Sequence, residues 1–211
     1  MTDALTPAQL AALPLFPLPQ VVLFPGTALP LHVFEPRYRA LVAHCLESKS
    51  PLGLPQIQPG HEAEHLDTPP LLPVCGAGRI VHHEALDDGR SAIIVRGIGR
   101  LKLVGDVASE HPFRVGRATF LPDRLDDPAR ASADLATIDD CLRVMSARMP
   151  RLAEALRNAI AQGREPGLVA DRLAAVLYKA PQHRQRLLDI ADANVRLGEV
   201  VERLGLLTAR A

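Results

Sequence analysis

The sequence predicts an α+β protein: an antiparallel β-barrel, closed or nearly so, with one inserted helix, followed by an α-helical bundle. Three observations carry this. Residues up to about 123 hold short β-type runs separated by Pro and Gly. The segment EPRYRALVAHCLESKS interrupts them with helical spacing. Beyond about 133, Ala, Leu and Arg dominate and apolar residues recur every three to four positions.

In the first part, VVLF (21–24), LPLHV (29–33), LGLPQI (52–57), GRIVHH (78–83), SAIIVRG (91–97), GRLKLVG (99–105) and FRVGRATF (113–120) read as strands. Asp87-Asp88-Gly89 reads as a hairpin turn, with Gly supplying the positive φ. Gly97 and Gly99 interrupt a long apolar run, which predicts a bulge or a sharp bend. In the inserted helix, Tyr38, Leu41, Val42, Cys45 and Leu46 form one stripe. Pro36 suits the first turn, Glu35 the positive end of the dipole, Lys49 the last turn, and Pro51 the stop.

The polar stretch 124–133, with Pro128, reads as a linker between a barrel over 1–123 and a bundle over 134–211. Five amphipathic stripes follow. The first holds Leu135, Ile138, Leu142 and Met145; the second Leu152, Leu156, Ala159 and Ile160; the third Leu168, Val169, Leu173, Val176 and Leu177. Leu187, Leu188 and Ile190 make a short fourth. Leu197, Val200, Val201 and Leu204 make the last, with Asp192 as its cap.

The 211 residues carry 24 Lys plus Arg against 24 Asp plus Glu, so no global charge favours nucleic acid or an anionic membrane. Three cysteines without a C-x-x-C pair suggest neither a disulfide framework nor a thiolate zinc site. The N-terminus has no basic region before its apolar run, and prolines break that run. A cytoplasmic protein without a membrane span is expected.

HEAEH (61–65) matches the H-E-x-x-H zinc-hydrolase pattern, in which His61 and His65 would ligate the metal and Glu62 would activate water. Pro59-Gly60 and Pro69-Pro70 leave at most about two and a half turns between them, so a solvated acidic loop is favoured. His82 and His83 point to opposite faces of a strand, Gly76-Ala77-Gly78 lacks the helix of a nucleotide loop, and Asp126-Asp127 and Asp139-Asp140 read as solvated or capping acids.

VVLFPGTALPLHVFEPRYRALV (21–42) closely resembles the opening motif of the Lon protease amino-terminal, or substrate-binding, domain. GRIVHHEALDDGRSAIIVRGIGRLKL (78–103), with its Gly-x-x-Arg element at Gly97 to Arg100, is similar to that family's strand–hairpin–strand section. FRVGRATFLPD (113–123) resembles the strand that follows, and 170–204 its carboxy-terminal helices, with Arg186-Leu187-Leu188 and Arg196-Leu197 in place. The resemblance covers about residues 11 to 208 and implies a PUA-like β-pseudobarrel followed by a helical bundle. It implies a non-catalytic module that recognises unfolded or partly unfolded protein segments, as an adaptor or holdase, with a separate ATP-dependent protease as partner. No G-x-x-x-x-G-K-[ST] loop is present, and the chain reads as a stand-alone domain without ATPase or protease modules. No catalytic residue, metal or cofactor is assigned, and neither nucleic acid nor membrane is an expected partner. A homodimer through the helical half or a barrel edge fits the pattern. For peptide or partner binding, Phe24, Pro25, Glu35, Arg37 and Tyr38 are the candidates, at the LFPG turn and the helix start. A structural Glu–Arg hydrogen bond is the plainer reading of the charges. Two alternatives stay open: a zinc hydrolase using HEAEH, and a nucleic-acid binder suggested by the PUA-like barrel.

Overall fold

The computed structural model describes residues 5–64, 68–87 and 89–210. They form two compact units, Met1–Leu121 and Pro122–Ala211.

The first unit contains a short helix α1 (Pro7–Ala11), strands β1 (Leu13–Pro14) and β2 (Ala28–Val33), helix α2 (Pro36–Ser48), and strands β3 (Leu52–Leu54), β4 (Val74–Ala85), β5 (Ser91–Val107) and β6 (Val115–Phe120). The sheet is antiparallel, in the order β1-β6-β5-β4-β3. Parallel bridges Leu15↔Gly53 and Leu18↔Gln56 join the chain after β1 to β3 and its extension, closing the barrel. β2 lies off this ring and pairs with the first part of β5, Ala28↔Arg96 through Val33↔Ser91.

β5 is one continuous strand where the sequence suggests two. Its break is a bulge: Ala77 faces Gly99 and Gly78 faces Gly97, leaving Ile98 extra. Gly89 turns the β4–β5 hairpin at φ 78°, and Asp88 lies outside the described residues. The run VVLF is not a strand. It crosses the sheet so closely that a Cβ on Gly97 would stand 2.1 Å from the Phe24 carbonyl oxygen, and one on Gly76 2.1 Å from that of Leu23. Only glycine leaves room for this crossing. Leu23, Val33, Tyr38, Leu41, Leu52 and Val95 fill the barrel beneath α2, and Arg100 of the Gly-x-x-Arg element is 2% exposed.

The second unit contains α3 (Pro128–Arg148), α4 (Pro150–Ile160), α5 (Pro166–Leu177), α6 (Pro181–Asp189) and α7 (Ala193–Arg210). Helices α3 to α6 each open on a proline, whose missing N–H is no loss in the first turn. Pro128 therefore starts a helix inside the stretch read as linker. The Asp127 side chain accepts the Arg130 N–H at 2.9 Å and caps it. Asp192 caps α7 in the same way through the Asn194 N–H at 2.9 Å. Four of the five predicted stripes meet in one core that includes Ile138, Leu142, Leu156, Leu173, Leu197 and Leu204; Leu187 and Leu188 of the short fourth stripe are buried on α6.

Arg196 is buried in this unit at 1% exposed. It sits 3.1 Å from Asp171, which is fully buried, and 2.5 Å from Asp123, and donates to the Ile190 carbonyl at 2.7 Å. No described helix is long and apolar enough to cross a membrane.

Candidate functional site

α2 begins at Pro36 with Glu35 in extended conformation before it. The Glu35 side chain makes no cap hydrogen bond. It is held instead by Arg37, whose Nε donates to Oε2 at 3.0 Å. The Arg37 guanidinium also lies 4.5 Å from the centre of the Tyr38 ring, a cation–π contact. Tyr38 is 4% exposed, packs its ring 4.2 Å from that of Phe16, and donates its hydroxyl to the Pro17 carbonyl at 3.0 Å. Burial pushes the Tyr38 phenol up to about 12, with Arg37 pulling the other way.

These contacts build one wall and the floor of a cleft of about 280 Å³. Glu35 and Tyr38 line it together with Leu18 and Pro19 and with Leu31, His32 and Val33 of β2. Phe34 stands at its rim, 62% exposed. Among the described residues β2 pairs with β5 alone, so its other edge carries no strand. The hydroxyl and the carboxylate at this cleft are both engaged within the protein. What the cleft presents is apolar surface next to a strand edge.

Of the five sequence candidates, Glu35, Arg37 and Tyr38 come together here. Phe24 and Pro25 do not: both are buried, Phe24 at 1% exposed, where the chain crosses the sheet glycines. They hold the barrel and have no surface to offer. Leu18 and Pro19 are not among the sequence candidates, and Phe34, whose apolar face suits packing beside Tyr38, is instead exposed. The signal was an aromatic residue directly after an edge strand, where alternation gives it no core partner.

The HEAEH stretch contains a single 3₁₀ turn, Glu62–Glu64, in place of an α-helix. His61 Nδ1 pairs with Glu64 at 2.9 Å, Glu62 accepts the Gly60 N–H at 2.8 Å, and His65 lies outside the described residues. Among the described residues no cluster of three or more His, Cys, Asp or Glu is arranged to hold a metal. Cys45 and Cys75 are buried, which pushes both thiols up to about 12.

Residues 12–205 match the family model described as the ATP-dependent protease La (LON) substrate-binding domain. The chain belongs to this family. It is 30% identical over 194 residues to the Lon protease of Roseiflexus castenholzii, and 26% over 195 residues to that of Anaeromyxobacter dehalogenans. These alignments cover 90% and 92% of this chain but 23% of each relative. Among solved structures, a Lon N-terminal domain protein from Xanthomonas campestris superposes with a TM-score of 0.63 at 27% identity, covering 91% of this chain and 98% of the other. The N-terminal domain of a Mycobacterium avium complex Lon protease shares the fold, with a TM-score of 0.69 at 16% identity over 92% of this chain and 98% of that one.

Proposed function

We propose that this Lon substrate-binding-family chain is a protein-recognition module whose cleft receives extended apolar segments of unfolded proteins. One observation carries the reading: an apolar cleft beside the outer edge of β2, rimmed by a 62%-exposed Phe34. A bound strand would hydrogen-bond to the β2 edge and place alternate side chains against Leu31, Leu18 and Phe34. Folded proteins keep such segments inside, so selectivity for unfolded chains follows from the geometry alone. The finer role that fits is adaptor or holdase, passing clients to a separate ATP-dependent protease.

The test is fluorescence anisotropy of a labelled, permanently unfolded protein titrated with this chain, with its native form as control. Saturable binding to the unfolded form alone is expected, insensitive to chelator and weakened at least ~10-fold by Phe34→Asp. Absence of binding up to ~100 μM, only about −5.5 kcal/mol of affinity, overturns the reading.

A further inference from the structure

The outer edge of β2 is uneven, because a proline stands inside the strand. Pro30 lies in the interior of Ala28–Val33, opposite Ile94 of β5. A proline in a strand removes one ladder donor, so its effect depends on which edge loses that donor.

The pairing with β5 answers this. The Gly97 N–H donates to the Thr27 carbonyl at 2.8 Å, so that carbonyl turns toward β5. Successive residues of a strand turn their main-chain groups to alternate sides. The register from Ala28↔Arg96 to Val33↔Ser91 carries no shift. Leu29, Leu31 and Val33 therefore bond to β5, while Ala28, Pro30 and His32 turn their main-chain groups outward. All three outward residues are exposed, and among the described residues nothing pairs with their main-chain groups. Pro30 thus leaves the β2–β5 ladder whole. The donor it lacks is missing from the outer edge, which keeps N–H groups at Ala28 and His32 and carbonyls at all three positions.

The consequence depends on what approaches. An unrelated extended segment laid on this edge finds complete pairs at Ala28 and His32. At Pro30 it gives an N–H and receives none, so one of its carbonyls stays with water. A second copy of β2 brings a second proline. With the two strands centred on each other, Pro30 faces its own counterpart, and two carbonyls meet with no proton between them. With the strands shifted by two residues, each proline removes a bond from a shorter ladder. Self-pairing therefore loses two hydrogen bonds where a foreign segment loses one.

We infer that Pro30 decides what pairs with this edge: it admits an extended segment of another protein and bars a second copy of this chain, leaving any homodimer to other surfaces. The admitted segment rests on the function proposed above; the bar to self-pairing does not. Such a bar matters here, because an open edge beside the exposed Phe34 is a template for edge-to-edge association.

Pro30→Val restores the missing donor, and Pro30→Thr does so without adding apolar surface. Sedimentation equilibrium reads self-association, and circular dichroism confirms that each variant is folded. Both variants are expected to self-associate at least ~25-fold more tightly than the parent chain, a factor of ~5 for each donor restored. Adding His32→Pro to Pro30→Val removes an outward donor again, spares the ladder to β5, and should return self-association to the parental level. An excess of permanently unfolded protein should disperse the new association, since both occupy one edge. Unchanged self-association in both single variants overturns the inference, as does association that persists in the double variant. Association that resists an unfolded protein the parent chain binds also overturns it, by placing that protein elsewhere. If the parent chain binds no unfolded protein, the proposed function fails, and the sedimentation arm still decides whether Pro30 bars self-pairing.

Discussion

The Tyr38 hydroxyl donates to the Pro17 carbonyl at 3.0 Å and so joins the first turn of α2 to the segment whose Leu18 and Pro19 line the cleft. The bond is neutral and buried, worth about 1 kcal/mol, and its loss strands a buried carbonyl. Tyr38→Phe is expected to lower stability by about 1–2 kcal/mol in urea unfolding and to weaken unfolded-chain binding.

The same residue gives a pH dependence. Tyrosines of the unfolded chain ionise near 10, while burial holds native Tyr38 protonated up to about 12. Through this window the unfolded state gives up its proton first, so stability contributed below pH ~10 is lost as pH rises. The urea midpoint of Tyr38→Phe should fall less steeply between neutral pH and pH ~11 than that of the parent chain.

Gly97 and Gly105 both lie in β5 but should respond oppositely to alanine. At Gly97 the added methyl meets the Phe24 carbonyl oxygen at 2.1 Å; at Gly105 nothing lies within 4 Å. Gly97→Ala is expected to cost ~3 kcal/mol or more, since backbone must move. Gly105→Ala is expected to be neutral or stabilising by ~0.5 kcal/mol. Equal midpoints for the two variants would contradict the crossing of Leu23 and Phe24 over the sheet.

Arg196 and Asp171 are both buried, 3.1 Å apart. Arg196→Met removes the guanidinium that lies 3.1 Å from the buried Asp171 carboxylate and should cost about 3–5 kcal/mol. Combining it with Asp171→Leu should recover much of that loss, because the pair has a large desolvation cost of its own. A double-mutant cycle in urea measures the coupling.

The cysteines should separate by reactivity. Cys45 and Cys75 are buried with thiols pushed up to about 12, whereas Cys141 is partly exposed. A disulfide reagent at pH ~8 should modify one thiol quickly, Cys141, and all three only after denaturation.

Much of the fold was legible because it rests on local rules. The stripe of Tyr38, Leu41, Val42 and Cys45 gave α2, and the bulge between Gly97 and Gly99 lies where the glycines interrupt β5. The misread elements depended on distant partners. VVLF has the composition of a strand, but Gly76 and Gly97 let it cross the sheet, a fact held far along the chain. The stretch around Pro128 reads as a linker because the proline's role turns on Asp127, whose side chain caps the helix that Pro128 starts. The candidate site divides in the same way. Glu35, Arg37 and Tyr38 lie close in sequence and meet. Phe24 and Pro25 belong to the same motif but are buried, and Leu18, which lines the cleft, is bridged to Gln56, distant in sequence.

Closure of the barrel places a demand on synthesis. Leu13 and Pro14 pair with Gly116 and Val115, and so emerge from a ribosome roughly a hundred residues before their partners. At ~5–20 residues per second that is a wait of about 5–20 s. Throughout it the apolar run Leu13 to Leu18, buried or half-buried in the finished barrel, is uncovered on the nascent chain. A protein proposed to hold exposed apolar segments thus begins its own life as one, and chaperone occupancy on the ribosome should peak before residue 115 emerges.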